Sequence, residues 1–384
     1  MFAQHYADKL KQQMGAGLFR KLYDIQGREG KYIFTDNRKK LNFSSNDYLG
    51  LGVSKTLKEI VSKNFLQYGT SSSSSRLVTG NYTIIQEAEK AYADYFGYDD
   101  AIFFPSGYQA NLGIMSAFFQ PGDLIIYDKH IHNSSVNGIR LSGAEFSGYN
   151  HNSMSHLEKR LDKRGGERTA VVTESLFSMD GDILPVLGFG KTKTKYGFLS
   201  IVDEAHAFGA VGEKGTGLAK GVADIAVGTF GKTLGFFGAF VLLPGEFKNY
   251  LMNFSSPLIY STALPEAHAA SALEILPLIS DAGNKRRDLK KISQYMKHCL
   301  SETGLQVNGD AHILTIQIGD EKKAVEFAAA LFEKDIFVFP ARYPTVPLGK
   351  AVLRVSMTAL MTKEDVEFFV EMITLVRSCF KRTT

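Results

Sequence analysis

The sequence of 384 residues is poor in cysteine and contains no tryptophan. Its two cysteines, Cys299 and Cys379, lie on separate predicted helices, and neither stands at a metal-ligand spacing from another cysteine or a histidine. A disulfide framework is therefore excluded. So few cysteines are typical of a protein from a reducing compartment, and we expect a cytoplasmic location.

Long apolar runs are also missing. The longest apolar region, residues 101–119, is interrupted by Pro105, Ser106 and Gly107, so it cannot span a bilayer. The first residues, MFAQHYADKLKQQ, are charged and have no apolar core, so we expect no signal peptide. The sequence therefore predicts no membrane partner.

Basic residues are too dispersed for a nucleic-acid-binding protein. The formal net charge is +4, and the densest basic cluster, residues 285–291, is interrupted by Asp288 and Leu289. This pattern is typical of the solvated face of a helix. The sequence also has no basic arm and no alternation of aromatic and basic residues. We therefore expect no nucleic acid partner.

Five short apolar runs predict the strands of one sheet. Most are separated by segments of helix length, and apolar strands that alternate with helices indicate a mostly parallel sheet covered on both faces. The runs are AIFF (101–104), LIIY (124–127), AVVT (170–173), FLSIV (198–202) and DIAVGTF (224–230). The expected fold class is α/β, with one large, mostly parallel-sheet domain.

The length of the chain favours a second, smaller domain, because cores seldom grow beyond about 250–300 residues. After the sheet, HILTIQI, a helix near 322–333 and DIFVFP predict a compact α/β C-terminal domain, closed by a helix capped by Thr362 and Asp365. Within the large domain, a helix is predicted from Thr83, with Thr83 and Gln86 as its capping box. The predicted parts are an N-terminal segment (1–40) that packs with the small domain, a large domain (41–289) and a small domain (290–384).

Polar side chains follow the apolar runs. Ligands of open α/β sheets bind beyond the carboxyl ends of the strands, so these side chains are candidates for a common site. A single histidine or lysine in such a place usually has a structural role, but the shared placement favours catalysis. The residues are Asp128 and His132 after the second run, Glu174 after the third, Asp203 and His206 after the fourth, and Lys232 after the fifth.

A phosphate group fits the same edge of the sheet. Ser106 and Gly107 stand at the predicted start of a helix, where free backbone amides and the positive end of the helix dipole favour an anion. Thr229, three residues before Lys232, offers a hydroxyl group to the same phosphate. These features favour a phosphorylated ligand near the lysine.

The residues alone leave two alternatives. Residues 226–233, AVGTFGKT, satisfy a relaxed P-loop pattern, but a P-loop needs a helix directly after its lysine and here the strand-like LGFFGAFVLL follows. A metal site is the other alternative, although its histidines lack the HExxH spacing and its acidic pair lacks the other ligands of a calcium loop. Its candidate ligands are His130, His132, His151 and His156, or Asp180 and Asp182.

The motifs around these residues resemble those of the α-oxoamine synthases. These are fold-type-I pyridoxal phosphate (PLP) enzymes that join an amino acid to an acyl-CoA with loss of carbon dioxide. The resemblance runs from about Leu41 to the C-terminus. It rests on LNFSSNDYLGL, SSRLVTGN, SGYQAN, TESLFSMDGD, VDEAHAFGAVGEKGTG, TFGKTLG, IYSTALP and YPTVP, with Arg354 beyond.

This resemblance implies roles for the four catalytic candidates. Lys232 carries the cofactor as a Schiff base and later moves the Cα proton of the substrate. Asp203 pairs with the pyridinium nitrogen, His206 donates a hydrogen bond to the ring oxygen, and His132 stacks on the ring. A Schiff-base lysine, an aspartate at the pyridine nitrogen and groups that hold a phosphate are the parts that PLP requires.

The resemblance also assigns the remaining site residues. It implies a homodimer whose active sites are shared between subunits. From the ligand spacing above, we expect no metal site. The cofactor residues are Gly107, Tyr108 and Thr229 at the phosphate, Glu174 and Ser178 in the pocket, and Ser261 and Thr262 from a second subunit. The substrate residues are Arg20, Asn46, Arg76, Arg342 and Arg354, of which Asn46 and Arg354 orient the substrate carboxylate.

Within the family, the resemblance favours the biotin-pathway condensation of L-alanine with a pimeloyl thioester, carried by CoA or by a carrier protein. Three other family reactions stay open: glycine with acetyl-CoA, glycine with succinyl-CoA, and serine with palmitoyl-CoA. A nucleotide-binding protein built on AVGTFGKT is the more distant alternative.

Overall fold

The computed structural model describes residues 2–164, 166 and 168–382. The helices are α1 (Phe2–Gly15), α2 (Lys55–Tyr68), α3 (Thr83–Phe96), α4 (Gly107–Phe118), α5 (Asn133–Ser142), α6 (Met154–Arg164), α7 (Val186–Tyr196), α8 (Gly245–Phe254), α9 (Ser256–Ile259), α10 (Glu266–Ser280), α11 (Gly283–Glu302), α12 (Glu321–Phe332) and α13 (Lys363–Arg382). The strands are β1 (Gly27–Glu29), β2 (Tyr32–Thr35), β3 (Arg38–Asn42), β4 (Asp100–Phe104), β5 (Leu124–Asp128), β6 (Glu145–Tyr149), β7 (Thr169–Glu174), β8 (Leu199–Asp203), β9 (Ile225–Thr229), β10 (Ala239–Leu243), β11 (Val307–Asn308), β12 (Ile313–Gly319), β13 (Ile336–Phe337), β14 (Phe339–Ala341) and β15 (Ala351–Ser356). Among the described helices, none is both long enough and apolar enough to cross a membrane.

The described residues form two compact units. The larger unit comprises residues 54–177 and 183–286, and the smaller one comprises the described residues up to Val53, residues 178–182, and those from Arg287 onward. The N-terminal part of the smaller unit thus extends past the predicted boundary at residue 40. The reason is pairing, because β3 is bonded in parallel to β13 and the Ser356 amide donates to the Phe43 carbonyl at 2.7 Å.

The larger unit is built on a seven-stranded sheet of order β4-β10-β9-β8-β7-β5-β6. Strand β10 runs antiparallel to both of its neighbours, and the other pairs are parallel. All five predicted runs form strands of this sheet, which confirms the mostly parallel α/β fold class. The side chains of β10 are buried along its whole length, because helices cover both faces of the sheet.

Successive residues of β10 reach opposite faces of the sheet, as the two-residue period of a strand requires. Val241 packs in an aliphatic cluster with residues of α4 such as Ile114. Phe240 lies on the other face, where its ring centroid is 5.4 Å from that of Phe96 on α3. Gly228 of β9 faces the same ring, and a Cβ built there would lie 2.3 Å from the Phe240 ring, so only glycine fits.

The smaller unit contains two four-stranded sheets, of order β1-β2-β3-β13 and β11-β12-β15-β14. Its last helix, α13, begins as predicted, since the Thr362 amide donates to Asp365 Oδ2 at 2.7 Å and the Asp365 amide donates to Thr362 Oγ1 at 3.4 Å. The predicted capping box at the start of α3 is wrong. The N-cap residue there is Tyr82, which makes no side-chain capping bond.

Candidate active site

The carboxyl ends of the parallel strands bring several predicted site residues to one edge of the larger unit. In the register of β7 and β8, Glu174 lies opposite Asp203, and Asp203 lies opposite Val227 of β9. Lys232 follows β9 in the turn to β10. The edge therefore carries two carboxyl groups in adjacent strands and an amine in the next connection.

The turn that bears Lys232 is closed by hydrogen bonds. The Thr229 hydroxyl accepts from the Gly231 amide and donates to the Gly238 carbonyl, each at 3.1 Å. Within this turn the Lys232 Nζ atom lies 2.8 Å from His206 Nε2. His206 is 7% exposed, so the amine meets the imidazole in a largely buried place. The turn thus holds one lysine amine beside the residues that follow β8.

The same turn decides against the P-loop alternative. A turn and then β10 follow Lys232, with Ala239 paired opposite Thr229, so no helix offers its amides there. Two histidines of the metal alternative make structural contacts: His151 Nδ1 lies 2.9 Å from Asp128 Oδ1, and the Asn150 amide donates to His156 Nδ1 at 2.9 Å.

Both carboxylate oxygens of Asp203 accept a hydrogen bond. Oδ2 accepts from Asn111 Nδ2 at 2.8 Å, and Oδ1 accepts from the Ala205 amide at 2.9 Å. Asn111 lies one turn into α4 and is 3% exposed, so its amide is a rigid donor. These two bonds fix the plane of the carboxylate.

His132 is the N-cap residue of α5, and its ring is held by Ser134. The Ser134 amide donates to Nδ1 at 3.3 Å, and the Ser134 hydroxyl lies 2.7 Å from the same nitrogen. Burial lowers the pKa of His132, the nearby Lys232 charge lowers it further, and the Asp203 charge raises it. The imidazole is therefore neutral at neutral pH, which suits a ring that stacks on another ring.

Helix α4 begins where the sequence predicts it, and its start is the candidate anion site. Ser106 caps the helix by accepting from the Gln109 amide at 3.2 Å, and the helix begins at Gly107. Free amides at such a start favour a phosphate. Ser261 of the same chain lies beside it, with its hydroxyl 3.4 Å from Gln109 Nε2, while Thr262 pairs with Ser75. The placement of Ser261 and Thr262 in the site of a second subunit stays a prediction.

These groups fit PLP. The amine of Lys232 suits a Schiff base, the Asp203 carboxylate suits a protonated pyridine nitrogen, and the helix start at Gly107 suits a phosphate. All three lie in the larger unit. Asp203 ends β8, Lys232 lies in the turn after β9, and Gly107 begins α4.

Known proteins similar to this chain include enzymes solved with bound PLP. A model of the aminotransferase class I and II family matches residues 38–373. An 8-amino-7-oxononanoate synthase from Haemophilus ducreyi is 38% identical over 378 residues, which cover 94% of this chain and 97% of that protein. The chain belongs to the α-oxoamine synthase family.

Solved α-oxoamine synthases have the same fold. A serine palmitoyltransferase variant from S. paucimobilis, solved with a bound PLP–myriocin aldimine, has a TM-score of 0.91 at 26% identity and covers 98% of this chain and 97% of its own. The 8-amino-7-oxononanoate synthase of Francisella tularensis has a TM-score of 0.78 at 30% identity, with 89% and 99% covered. Because α-oxoamine synthases are fold-type-I PLP-dependent transferases, these similarities confirm the predicted family, fold and cofactor.

Two of the predicted substrate residues, Arg354 and Asn46, are in contact in the smaller unit, where Arg354 is a buried cation. Arg354 is 5% exposed. Its Nε donates to the Ser178 carbonyl at 2.6 Å, and one terminal nitrogen donates to Asn46 Oδ1 at 3.4 Å. The other terminal nitrogen donates to the Ser356 hydroxyl. These bonds reach neutral groups, which leaves the positive charge of the guanidinium for an anion.

The other three arginines assigned to the substrate are engaged elsewhere or exposed. Arg76 is buried and donates to the Glu89 carboxylate and to Asn81. Arg342 donates to the carbonyls of Gly17 and Phe19, both at 2.7 Å. Arg20 is exposed. The substrate roles of Arg20, Arg76 and Arg342 stay predictions that these contacts do not strengthen.

Sequence reasoning missed three buried polar residues around the site. Asn111 and Ser134 bond to Asp203 and His132, and Glu204 follows Asp203 directly. The Glu204 carboxylate accepts from the Leu218 amide at 3.0 Å, from the Ala219 amide at 2.6 Å and from the hydroxyl of Ser175. The signal that would have found Asn111 and Glu204 is that they stand inside the motifs SGYQAN and VDEAH.

Proposed function

We propose that this α-oxoamine synthase condenses L-alanine with a pimeloyl thioester, with loss of carbon dioxide, to give 8-amino-7-oxononanoate for biotin biosynthesis. The observation that carries the proposal is the 38% identity to the Haemophilus ducreyi 8-amino-7-oxononanoate synthase over nearly the whole of both chains. The acyl donor is pimeloyl-CoA or a pimeloyl carrier protein.

Lys232 is the central group of the proposed reaction. PLP, when bound, supplies a ring that accepts the electron pair left when a proton or carbon dioxide leaves the amino acid. Lys232 would hold this group covalently through Nζ until the amino group of the substrate displaces it. The freed amine would then take the proton from Cα of the amino acid and return it after decarboxylation. The contact of 2.8 Å between Nζ and His206 Nε2 supports this role, because it orients the amine.

Asp203 and His132 support the same chemistry from two directions. The Asp203 carboxylate is oriented by Asn111 and by a backbone amide, and in this proposal it keeps a proton on the pyridine nitrogen. The ring of His132, which Ser134 holds in place, would cover one face of the bound ring and exclude water from that face. The amides at Gly107 and Tyr108 hold the phosphate.

Arg354 and Asn46 bind the carboxylate of the amino acid in this proposal. A guanidinium that is 5% exposed and bonded to neutral groups gains most from a carboxylate, which it can bind through two parallel bonds. Because the amide of Asn46 also meets Tyr48 OH at 3.1 Å, its side chain is fixed beside Arg354.

One observation favours a second candidate, the condensation of serine with palmitoyl-CoA. The TM-score to the serine palmitoyltransferase is 0.91, against 0.78 for the Francisella tularensis protein. The Francisella tularensis protein also covers less of this chain, 89% against 98% for the serine palmitoyltransferase. Its sequence identity to this chain is higher, however, at 30% against 26%. Substrate choice depends on side chains, so we give identity the greater weight.

The test is a substrate panel. Alanine, glycine and serine are each paired with pimeloyl, acetyl, succinyl and palmitoyl thioesters, and CoA release and product mass are measured. We expect the best turnover with alanine and the pimeloyl thioester. Best turnover with serine and palmitoyl-CoA, or with glycine, would overturn the substrate assignment and retain the family.

We also propose a cytoplasmic homodimer with shared active sites. Three large apolar side chains beside the Ser75–Thr262 bridge are highly exposed, namely Leu77 (69%), Val78 (74%) and Tyr260 (82%), and such a patch supports an interface at this place. Sedimentation of a fully active monomer would contradict the dimer. The small number of cysteines supports the cytoplasm, and cell fractionation tests it.

A further inference from the structure

One buried amide joins the two ring-binding residues of the site. Asn111 Nδ2 lies 2.8 Å from Asp203 Oδ2 and 3.1 Å from Ser134 Oγ. The Ser134 hydroxyl in turn lies 2.7 Å from His132 Nδ1. Asp203 is the last residue of β8 and His132 is the N-cap of α5, so this chain of bonds connects two separate elements through α4.

The direction of each bond follows from the chemistry of its atoms. A carboxylate only accepts hydrogen bonds, so the amide nitrogen of Asn111, and not its oxygen, must face Asp203. The second hydrogen of that nitrogen points to Ser134 Oγ, which leaves the serine hydroxyl hydrogen free to donate to His132 Nδ1. The Ser134 backbone amide can only donate, and it also faces Nδ1, at 3.3 Å.

These directions fix the state of the histidine ring. Because Nδ1 accepts from Ser134, the neutral ring of His132 carries its hydrogen on Nε2. If the ring carried its hydrogen on Nδ1, that hydrogen would point at the Ser134 amide hydrogen, and the two would repel each other. The ring is thus oriented by the same serine that Asn111 orients.

We propose that Asn111 and Ser134 are positioning residues that hold the Asp203 carboxylate and the His132 ring in one fixed mutual geometry for the bound cofactor. The inference rests on the proposed function, since it assigns these two side chains to the PLP site. Both residues are buried, with exposures of 3% for Asn111 and 0% for Ser134, so the geometry is held by rigid groups. Neither residue touches the reacting atoms in this proposal.

The same unit contains a matched pair of control residues. Asn64 is also 3% exposed, and its Nδ2 donates to a serine hydroxyl, Ser271 Oγ, at 3.3 Å and to a carboxylate, Glu274 Oε1, at 2.9 Å. This pair joins α2 to α10 and involves none of the site residues. Loss of Asn64 or Ser271 therefore reproduces the structural cost of losing Asn111 or Ser134 without changing the site.

The experiment uses the PLP-saturated enzyme and four variants: Asn111→Ala, Ser134→Ala, Asn64→Ala and Ser271→Ala. The readouts are the exchange of the alanine Cα hydrogen in deuterated water without acyl donor, and the visible circular dichroism of the bound cofactor. The first measures the proton step, and the second measures the orientation of the ring. Thermal melting of each variant measures the structural cost.

We expect Asn111→Ala to slow the exchange by about 10- to 100-fold, the factor that corresponds to one hydrogen bond to a charged group. Ser134→Ala should slow it less, since only the His132 ring loses a bond. In both variants the visible dichroism weakens, and kcat falls while KM for alanine changes little. The controls should melt earlier than the parent enzyme but keep its exchange rate and dichroism.

The inference would be overturned if Asn111→Ala and Ser134→Ala kept the exchange rate and the dichroism of the parent enzyme. It would also be overturned if the two control variants lost as much exchange and dichroism as these two variants did. Ser134→Ala removes only one hydroxyl group and keeps the test valid if Asn111→Ala does not fold. Failure of the proposed function looks different. In that case the parent enzyme keeps its cofactor band but exchanges the Cα hydrogen of glycine or serine faster than that of alanine.

Discussion

Replacing Glu204 with glutamine should change how the stability of the larger unit depends on pH. Glu204 is 1% exposed and accepts hydrogen bonds from two backbone amides and from the Ser175 hydroxyl. Burial raises its pKa from 4.5 to about 7, despite these three donors, and the neighbouring Asp203 adds to the rise. Glutamine has the shape of the protonated acid, because its amide nitrogen can donate to Ser175 while its oxygen accepts from the two amides.

The sign and size of the effect follow from the two pKa values. A carboxyl group whose pKa is higher in the folded protein binds its proton more tightly when folded. Its contribution to stability is therefore fully present below 4.5 and is lost as the pH rises toward about 7. The loss is at most about 3 kcal/mol. For a unit of this size that corresponds to about 6–12 °C in Tm.

The assay compares the thermal unfolding of the parent enzyme and Glu204→Gln, both saturated with PLP, from about pH 5 to about pH 8. We expect the Tm of the variant minus the Tm of the parent to increase as the pH rises. Glu87→Gln, at an exposed position of α3, controls for the change in net charge. A Tm difference between Glu204→Gln and the parent that stays constant over this range would refute the reasoning.

Three further predictions concern the site and its support. Gly228→Ala should destabilise the enzyme by about 1–3 kcal/mol in denaturant unfolding, because the new Cβ meets the Phe240 ring, whereas Gly245→Ala has space and should not. Borohydride should fix the mass of PLP on Lys232 of the parent enzyme, and mass spectrometry of Lys232→Ala should find no such label. Arg354→Ala should raise KM for alanine by about tenfold or more in steady-state kinetics, and an unchanged KM would argue against the carboxylate contact.

The elements around the lysine could be predicted because local sequence determines them. The five apolar runs each fill a strand that is buried on both faces, and a second apolar run directly after Lys232 predicts β10. Strand β6 gave no such signal, since its sequence EFSGY lies at the edge of the sheet with its first two residues exposed. Edge strands need no continuous apolar run, so periodicity does not reveal them.

Long-range hydrogen bonds explain what the sequence could not predict. Asn111 and Asp203 are 92 positions apart, and nothing local to either residue predicts their bond. Residues 178–182 interrupt the larger unit but belong to the smaller one, where the Asp310 amide donates to the Gly181 carbonyl at 2.8 Å. At Thr83 the motif was present, but the backbone entered the helix one residue earlier, at Tyr82, and the capping bond did not form.

The hairpin of β9 and β10 has a consequence for the heat tolerance of the site. Its strands lie inside the sheet, bonded to β8 on one side and β4 on the other, and β10 is buried throughout. Amide hydrogens in such strands exchange with solvent only when a large part of the unit opens. We therefore expect the turn with Lys232 to be attached to slowly exchanging strands. On gradual warming, the lysine should keep its place until the sheet itself melts, and cofactor release should coincide with that transition.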